Sequence, residues 1–205
     1  MDMQEARPTT PEKTLLSTAV LAVHKDGEHR FSKQSTQQIH LLQGLGVEGD
    51  AHCGSKVQHR SRVKANPDQP NLRQVHLISA SLLEHVQAMG FEVAAGQLGE
   101  NITLASAPGL RWDDLIALPV GTRVVFESTD APFPTLELTG LRNPCPQIDA
   151  FQPGLLAALL GKTEQGQLLR KAGVMAVVRQ GGFISPGCKA TFQLPHPPHR
   201  PMERV

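Results

Sequence analysis

"TRVVFESTDAPFPTLELTGLRNPCPQID", residues 122–149, sets the reading of the whole chain. Its two β-type runs, TRVVFEST and PTLELTGL, are rich in valine, leucine and threonine and are parted by the prolines of APFP, a turn signal. The second run leads into Cys145, which stands between Pro144 and Pro146. Proline fixes φ, removes a backbone donor and pushes the residue before it into an extended conformation. The thiol is therefore held on a stiff loop with little freedom to withdraw. Two readings are open here: a small hydrophobe in a turn, or a thiolate presented as ligand or nucleophile.

The same punctuation runs outward in both directions. LLSTAVLAVHKD (15–26) reads as a first strand that stops at Gly27. RQVHLISA (73–80) alternates around Val75, Leu77 and Ile78 and passes directly into SLLEHVQAMG (81–90). That segment is amphipathic, with Leu82, Leu83, Val86 and Met89 on one side of a helix. Ser81 and Glu84 have capping-box spacing, and Gly90 suits the C-terminal stop. ENITLAS, VMAVVRQG and KATFQLP read as further strands, and LLAALLGKTEQGQLLRKAG (155–173) as a second helical stretch broken near Gly161. Many short strands with few helices predict a mainly β fold, a closed or nearly closed barrel. Strands that do not alternate regularly with helices argue against a doubly wound sheet. A chain of 205 residues suffices for one domain with a real core. The proline-rich, polar ends predict a flexible N-terminus over 1–13, a single domain over 14–194 and a flexible tail over 195–205.

Composition narrows the partners. A net charge of +1 supplies no overall drive toward nucleic acid or a membrane surface. No tyrosine, one tryptophan and seven phenylalanines leave few platforms for stacking single-stranded bases. The opening MDMQEARPTTPEKT is polar and carries acids, unlike a secretory or transit peptide, and no apolar run has the length of a membrane span. The expected compartment is the reducing cytoplasm. Cys53, Cys145 and Cys188 are odd in number and far apart, so they form neither a disulfide framework nor a CxxC zinc pattern.

GLGVEG (44–49) satisfies G-x-G-x-x-G, but the polar DAHCGSKVQHRSR follows where a dinucleotide site needs a helix opening at the third glycine. The stretch reads as a turn. Beyond it, Lys56, Arg60, Arg62 and Lys64 face one acid, Asp68, with almost no apolar content. This segment is either a solvated loop or an anion-binding flap over a pocket. Three chemistries stay open for Cys145 itself. A cysteine hydrolase needs a histidine beside the thiol, zinc needs further soft ligands recruited by the fold, and a thiolate also suits a soft metal or a carried sulfur atom. Arg142, three residues ahead, favours the thiolate if its charge lies near the sulfur.

Taken in order, GLGVEGDAH, HRSR followed by NLRQVHLIS, GQLGENITL, LTGLRNPCPQID and GVMAVVRQGGFISPG resemble the MOSC domain, named for the C-terminal domain of molybdenum-cofactor sulfurase. The likeness covers roughly residues 14–194. It implies a twisted, mostly antiparallel β-barrel with a few peripheral helices and a role in molybdenum-cofactor or sulfur chemistry. In relatives such as the mitochondrial amidoxime-reducing component, a cysteine at the motif matching Cys145 coordinates molybdenum that the dithiolene of a pterin (molybdopterin) otherwise holds. Short stand-alone members resemble bacterial proteins that confer resistance to hydroxylaminopurine and are thought to reduce N-hydroxylated bases or related N-oxygenated compounds.

Carried over by position, the resemblance makes Cys145 the molybdenum ligand or a persulfide carrier, with Arg142 and Asn143 lining the same pocket. Gly99, Glu100 and Asn101 form the turn at the barrel mouth. Arg60, Arg62 and Arg73 are candidates for the pterin phosphate, Asp50 and His52 hold the flap, and Arg179 reaches the pocket from a late strand. The implied substrate is a small N-hydroxylated molecule, and the implied partner is an electron-donor protein. The alternative is a sulfur carrier fed by a cysteine desulfurase, with no redox catalysis. Pyridoxal phosphate is associated with sulfurases, but no lysine context here demands it. SPGCKA departs from the family pattern, which leads one to expect an acid where Cys188 stands, at a turn into the last strand. Cys53 places a second thiol in the glycine-rich loop, so disulfide or transpersulfidation chemistry follows if it approaches Cys145. The oligomeric state is left open.

Overall fold

The computed structural model describes residues 16–128 and 131–205, apart from the side chains of residues 60–62. The expectation of a flexible segment over 1–13 lies outside the described residues. The first half runs β1 (Leu16–Lys25), β2 (Gln34–Thr36), β3 (Ile39–Leu42), β4 (Gly46–Val47), α1 (Arg60–Ala65), β5 (Val75–Ser79), α2 (Ala80–Ala88), β6 (Ile102–Leu104) and α3 (Trp112–Ala117). The second half runs β7 (Arg123–Glu127), β8 (Thr135–Leu141), α4 (Gln147–Phe151), α5 (Leu155–Ala158), β9 (Leu160–Lys162), β10 (Leu168–Arg170), β11 (Val174–Gln180), β12 (Gly182–Ile184) and β13 (Lys189–Gln193).

The opening hairpin is the seed of the architecture. β7 and β8 pair antiparallel with Val124 opposite Leu136, and the alternate residues Val124, Phe126, Leu136 and Leu138 turn into the core. A period of two therefore separates the buried face from the wetted one. The sheet continues in the order β13-β7-β8-β11-β5-β6-β1 and closes where β1 pairs with β13. This is a mixed seven-stranded barrel, with β2 attached to the far end of β1. β5 and β6 alone among the named pairs run parallel, because α2 carries the chain across between them. β1 serves three neighbours along its length, β13, β6 and β2, with a register shift between Val20 and Ala22 that bends it. Phe126 and Phe192 fill the barrel, and a second apolar cluster packs α2 against Leu98, Leu155 and Leu159. No helix among the described residues is long and apolar enough to cross a membrane.

Three local expectations fail for identifiable reasons. The predicted capping box is not made, because Ser81 Oγ accepts the Trp112 N–H at 2.7 Å and Glu84 accepts from Ser106 at 2.9 Å. Both side chains serve tertiary contacts instead, and Met89, at the helix end, is exposed. The stretch 155–173 holds one helical turn and then the β9–β10 hairpin, closed by a turn at Gly166. Short apolar runs fit either period, and here pairing wins.

The tail over 195–205 is docked rather than loose. Leu141 N–H donates to the Glu203 carbonyl at 2.7 Å, Val120 N–H to that of Arg200 at 3.0 Å, and Met202 is buried. The end of β8 needs backbone partners, and the tail supplies them despite its low apolar content. Gly140 makes room, since a Cβ there would strike the Glu203 carbonyl oxygen and the Val205 side chain. Met202→Ala should therefore lower stability by about 2 kcal/mol and Tm by several degrees, and deletion of residues 200–205 by more. Thermal unfolding that is unchanged in both variants would show the segment to be undocked.

Candidate functional site

Four loops meet at one end of the barrel: the β1–β2 connection, the turn after β4, the approach to β6 and the loop after β8. They enclose a cavity of about 400 Å³ whose lining includes Cys145, Arg142, Asn143, Lys33, His52 and His59. That volume lies in the range of small-molecule and cofactor sites.

Cys145 is fixed from both sides. On the β8 side Arg142 N–H donates to the Gly173 carbonyl at 3.0 Å, and on the other Ile148 N–H donates to the Cys145 carbonyl at 3.0 Å as α4 begins. Ile148 is fully buried and anchors that turn. The thiol is half-buried at the cavity wall and donates to Gln147 Oε1 at 3.6 Å. It is a presented sulfur, not a sealed one. The Arg142 guanidinium lies beside it, with Nη1 buried and without a hydrogen-bond partner. Burial pulls the Arg142 pKa down, and the nearby Cys145 and Glu100 offset part of that effect. Asn143 Oδ1 accepts from Arg170 Nε at 3.0 Å, which sets the amide's orientation in the wall.

Asp50 lies beneath this wall, buried. Its carboxylate accepts from Lys33 Nζ at 2.6 Å, Asn101 Nδ2 at 3.0 Å and the His52 N–H at 2.9 Å. Burial by itself would raise the Asp50 carboxyl, but hydrogen bonds from His52 and Lys33 win and hold it well below the usual carboxylate range. His59 is pushed down to about 3 by burial and by the positive charge of its neighbours, so it sits in the wall as a neutral imidazole. Its Nε2 is buried with no hydrogen-bond partner.

The other predicted residues divide. Gly99 lines the cavity at φ +79°, and a Cβ there would come within 2.5 Å of the Phe31 carbonyl oxygen. Only glycine lets the β1–β2 loop lie against this turn. Asn101 is a brace as well as a lining residue, since its Oδ1 accepts the His76 N–H at 3.1 Å while its amide reaches Asp50. Glu100 is fully buried behind the wall, accepting from Gly96 N–H and Thr103 Oγ1, and burial raises its pKa. Arg73 lines the cavity. Arg60 and Arg62 fall on α1, in the basic segment read as a loop, and their side chains lie outside the described residues. Arg179 does not reach the pocket. It occupies an outward position of β11 and forms a two-pronged pair with Glu137 of β8 at 2.7 and 3.1 Å.

No helix opens at Gly49, so GLGVEG is no dinucleotide site, but the stretch is turn, short strand and turn rather than a single turn, with Gly46–Val47 forming β4. Cys188 accepts the Ser185 N–H at 3.5 Å and packs on the core, a structural position. Cys53 is not among the cavity-lining residues, and its thiol pKa is raised by burial and by Asp50 and Glu48. Among the described residues no three His, Cys, Asp or Glu side chains gather as a metal-ligand set. A metal at Cys145 therefore needs most of its ligands from another molecule. Sequence reading missed Lys33, His29, Phe31, His59 and Gln147. Of the polar run HKDGEHRFSK (24–33) the sequence reading takes only the end of the first strand and a stop at Gly27, although its density of cations and imidazoles is a usable signal.

The sequence matches the MOSC domain over residues 49–191. No curated protein matches it. Among solved structures, the YuaD protein from Bacillus subtilis superposes with a TM-score of 0.70 at 20% identity, covering 89% of this chain and 99% of that one. YiiM from Geobacillus stearothermophilus gives 0.54 at 16% identity, over 87% of this chain and 75% of its own. YiiM from Escherichia coli gives 0.52 at 13% identity, over 88% and 72%. At these identities the likeness is one of fold.

The buried groups predict how the fold responds to acid. His24, fully buried behind the cavity, is pushed down to about 4, first by burial and then by Lys33. A depressed imidazole resists protonation in the folded state alone, so stability falls as pH drops from about 6.5 toward 4. Asp50, whose pKa is depressed, contributes stability that is present above the ordinary carboxylate range and lost below it. Denaturant titrations should show both stages, and His24→Gln should make the first shallower, His59 and His76 still contributing to it, while leaving the second. Equal slopes in the two proteins between pH 6.5 and 4 would refute the assignment.

Proposed function

Because the chain belongs to the MOSC domain family, we propose that its cavity binds a molybdenum cofactor and that the protein reduces N-hydroxylated bases or related N-oxygenated compounds with electrons from a partner protein. The observation that carries this reading is a presented thiol in a cavity lined by cations. Cys145 shares the wall with Lys33, Arg73 and Arg142. The buried, unpartnered Arg142 Nη1 and His59 Nε2 belong to cavity-lining residues and fit an oxygen-rich anionic group.

The residues present fit such a cofactor. Cys145 would ligate the metal, and Arg73 and Arg142 would take the phosphate. When bound, the cofactor supplies a soft metal able to change oxidation state beside the substrate. The chain's own residues do the rest. Asn143, fixed by Arg170, and Gln147 orient a polar substrate near the sulfur. Phe31 lies on the same wall and packs against Phe151 with ring centroids 5.4 Å apart, an apolar lip that keeps water from the reacting bond. The three cysteines of this sequence are too few for an iron–sulfur cluster held in the usual way, and the reading takes its electrons from a partner protein.

Protein made in a host with intact cofactor synthesis should contain molybdenum and a fluorescent pterin and should reduce an N-hydroxylated base given a chemical reductant. Cys145→Ser should lose the metal and the activity together. Wild-type protein free of both metal and pterin would sink the reading. A reductant-reversible gain of one sulfur atom on Cys145, seen by mass spectrometry, would favour a persulfide carrier fed by a desulfurase.

A further inference from the structure

Cleaving an N–O bond reductively needs protons as well as electrons. Four imidazoles line the cavity, His29, His52, His59 and His76. His76 is buried and its Nε2 is tied to the Ala172 carbonyl at 2.7 Å. His52 lies between His29 and His59, its ring centroid 5.3 Å from that of His29 and 4.5 Å from that of His59. It is also tied to a carboxylate. Asp50 Oδ1 accepts both the His52 backbone N–H at 2.9 Å and the ring Nδ1 at 3.2 Å. Lys33 takes the other oxygen, Oδ2, at 2.6 Å, so the buried carboxylate stays ionised and Oδ1 stays an acceptor. An Nδ1–H held this way leaves Nε2 as the atom that exchanges a proton. His59 is unsuited to the task, because burial and the positive groups around it keep it neutral.

We propose that Asp50 and His52 form the proton-delivering pair of this site. His52 is the catalytic acid, and Asp50 is a positioning residue that fixes its tautomer. The inference rests on the N-hydroxyl reduction proposed above. In that reaction R–NHOH takes up two electrons and two protons to give R–NH₂ and water. The electrons originate in a reduced flavin or iron–sulfur donor protein, and the N–O bond breaks. One proton passes from His52 Nε2 to the departing oxygen, and solvent supplies the second to nitrogen and then reprotonates His52. The titratable and charged groups around His52 are Asp50 on its own loop, His29 and Lys33 on the β1–β2 loop and His59 ahead of α1, with Arg73 and Arg142 beyond His59.

Two measurements test the pair. ¹⁵N NMR of the full-length apoprotein should find neutral His52 protonated at Nδ1, and Asp50→Asn should shift the tautomer toward Nε2–H. In cofactor-loaded enzyme, His52→Gln should cut kcat for N-hydroxyl reduction about 100-fold or more. Bound molybdenum should not change, and KM should change little. A wild-type Nε2–H tautomer, or an active wild type matched in rate by His52→Gln, overturns this role alone. Loaded wild-type protein that reduces no N-hydroxylated base overturns the parent reading and this role together.

Discussion

The Asp50 carboxylate holds the mouth of the barrel in one arrangement. It is almost fully buried and binds two segments distant in sequence, Lys33 from the β1–β2 loop and Asn101 from the approach to β6, together with His52 from its own turn. A buried ion pair of this kind adds little net stability over a well-packed apolar alternative, because desolvation offsets the attraction. Its effect is on geometry. Removing one partner leaves a charge stranded away from water, so each loop is confined to the position that satisfies the others. The cavity wall inherits that rigidity, and so does every group aimed across it.

The fold was legible where local chemistry and tertiary demand agree. TRVVFEST and PTLELTGL alternate with the period of the sheet they enter, and β7 and β8 pair in the register that alternation requires. Ser81 had the spacing of a cap yet serves Trp112 in three dimensions, a contact no local pattern encodes. The C-terminal segment looked unstructured because prolines and charges dominate it, while its docking depends on backbone groups and one methionine. At the site, Arg142, Asn143 and Cys145 could be read together because one loop carries all three. Lys33, Phe31 and His59 could not, since only the fold brings them into the same cavity wall. Arg179 failed for the opposite reason: it is close to the motif in spirit, but strand alternation faces it outward onto Glu137.

Electrostatics at this site are local. The chain as a whole is nearly neutral at +1, yet one cavity collects Lys33, Arg73 and Arg142 around a thiol, with Asp50 set beneath. A ligand in this cavity would therefore be recognised at short range by desolvated donors rather than drawn in by a broad field. Similar barrels with 20% identity or less preserve the scaffold, and a scaffold alone does not fix what a protein does.

The pairing of β1 with β13 has a consequence for biosynthesis. β1 leaves the ribosome long before β13, Lys189–Gln193, can cover its open edge. Until β13 emerges, a hydrogen-bonding edge backed by valines stays available to any neighbouring nascent chain. Crowded expression should thus be hardest on this protein during that interval, and a holdase chaperone that shields Leu16–Lys25 would act on the segment at greatest risk.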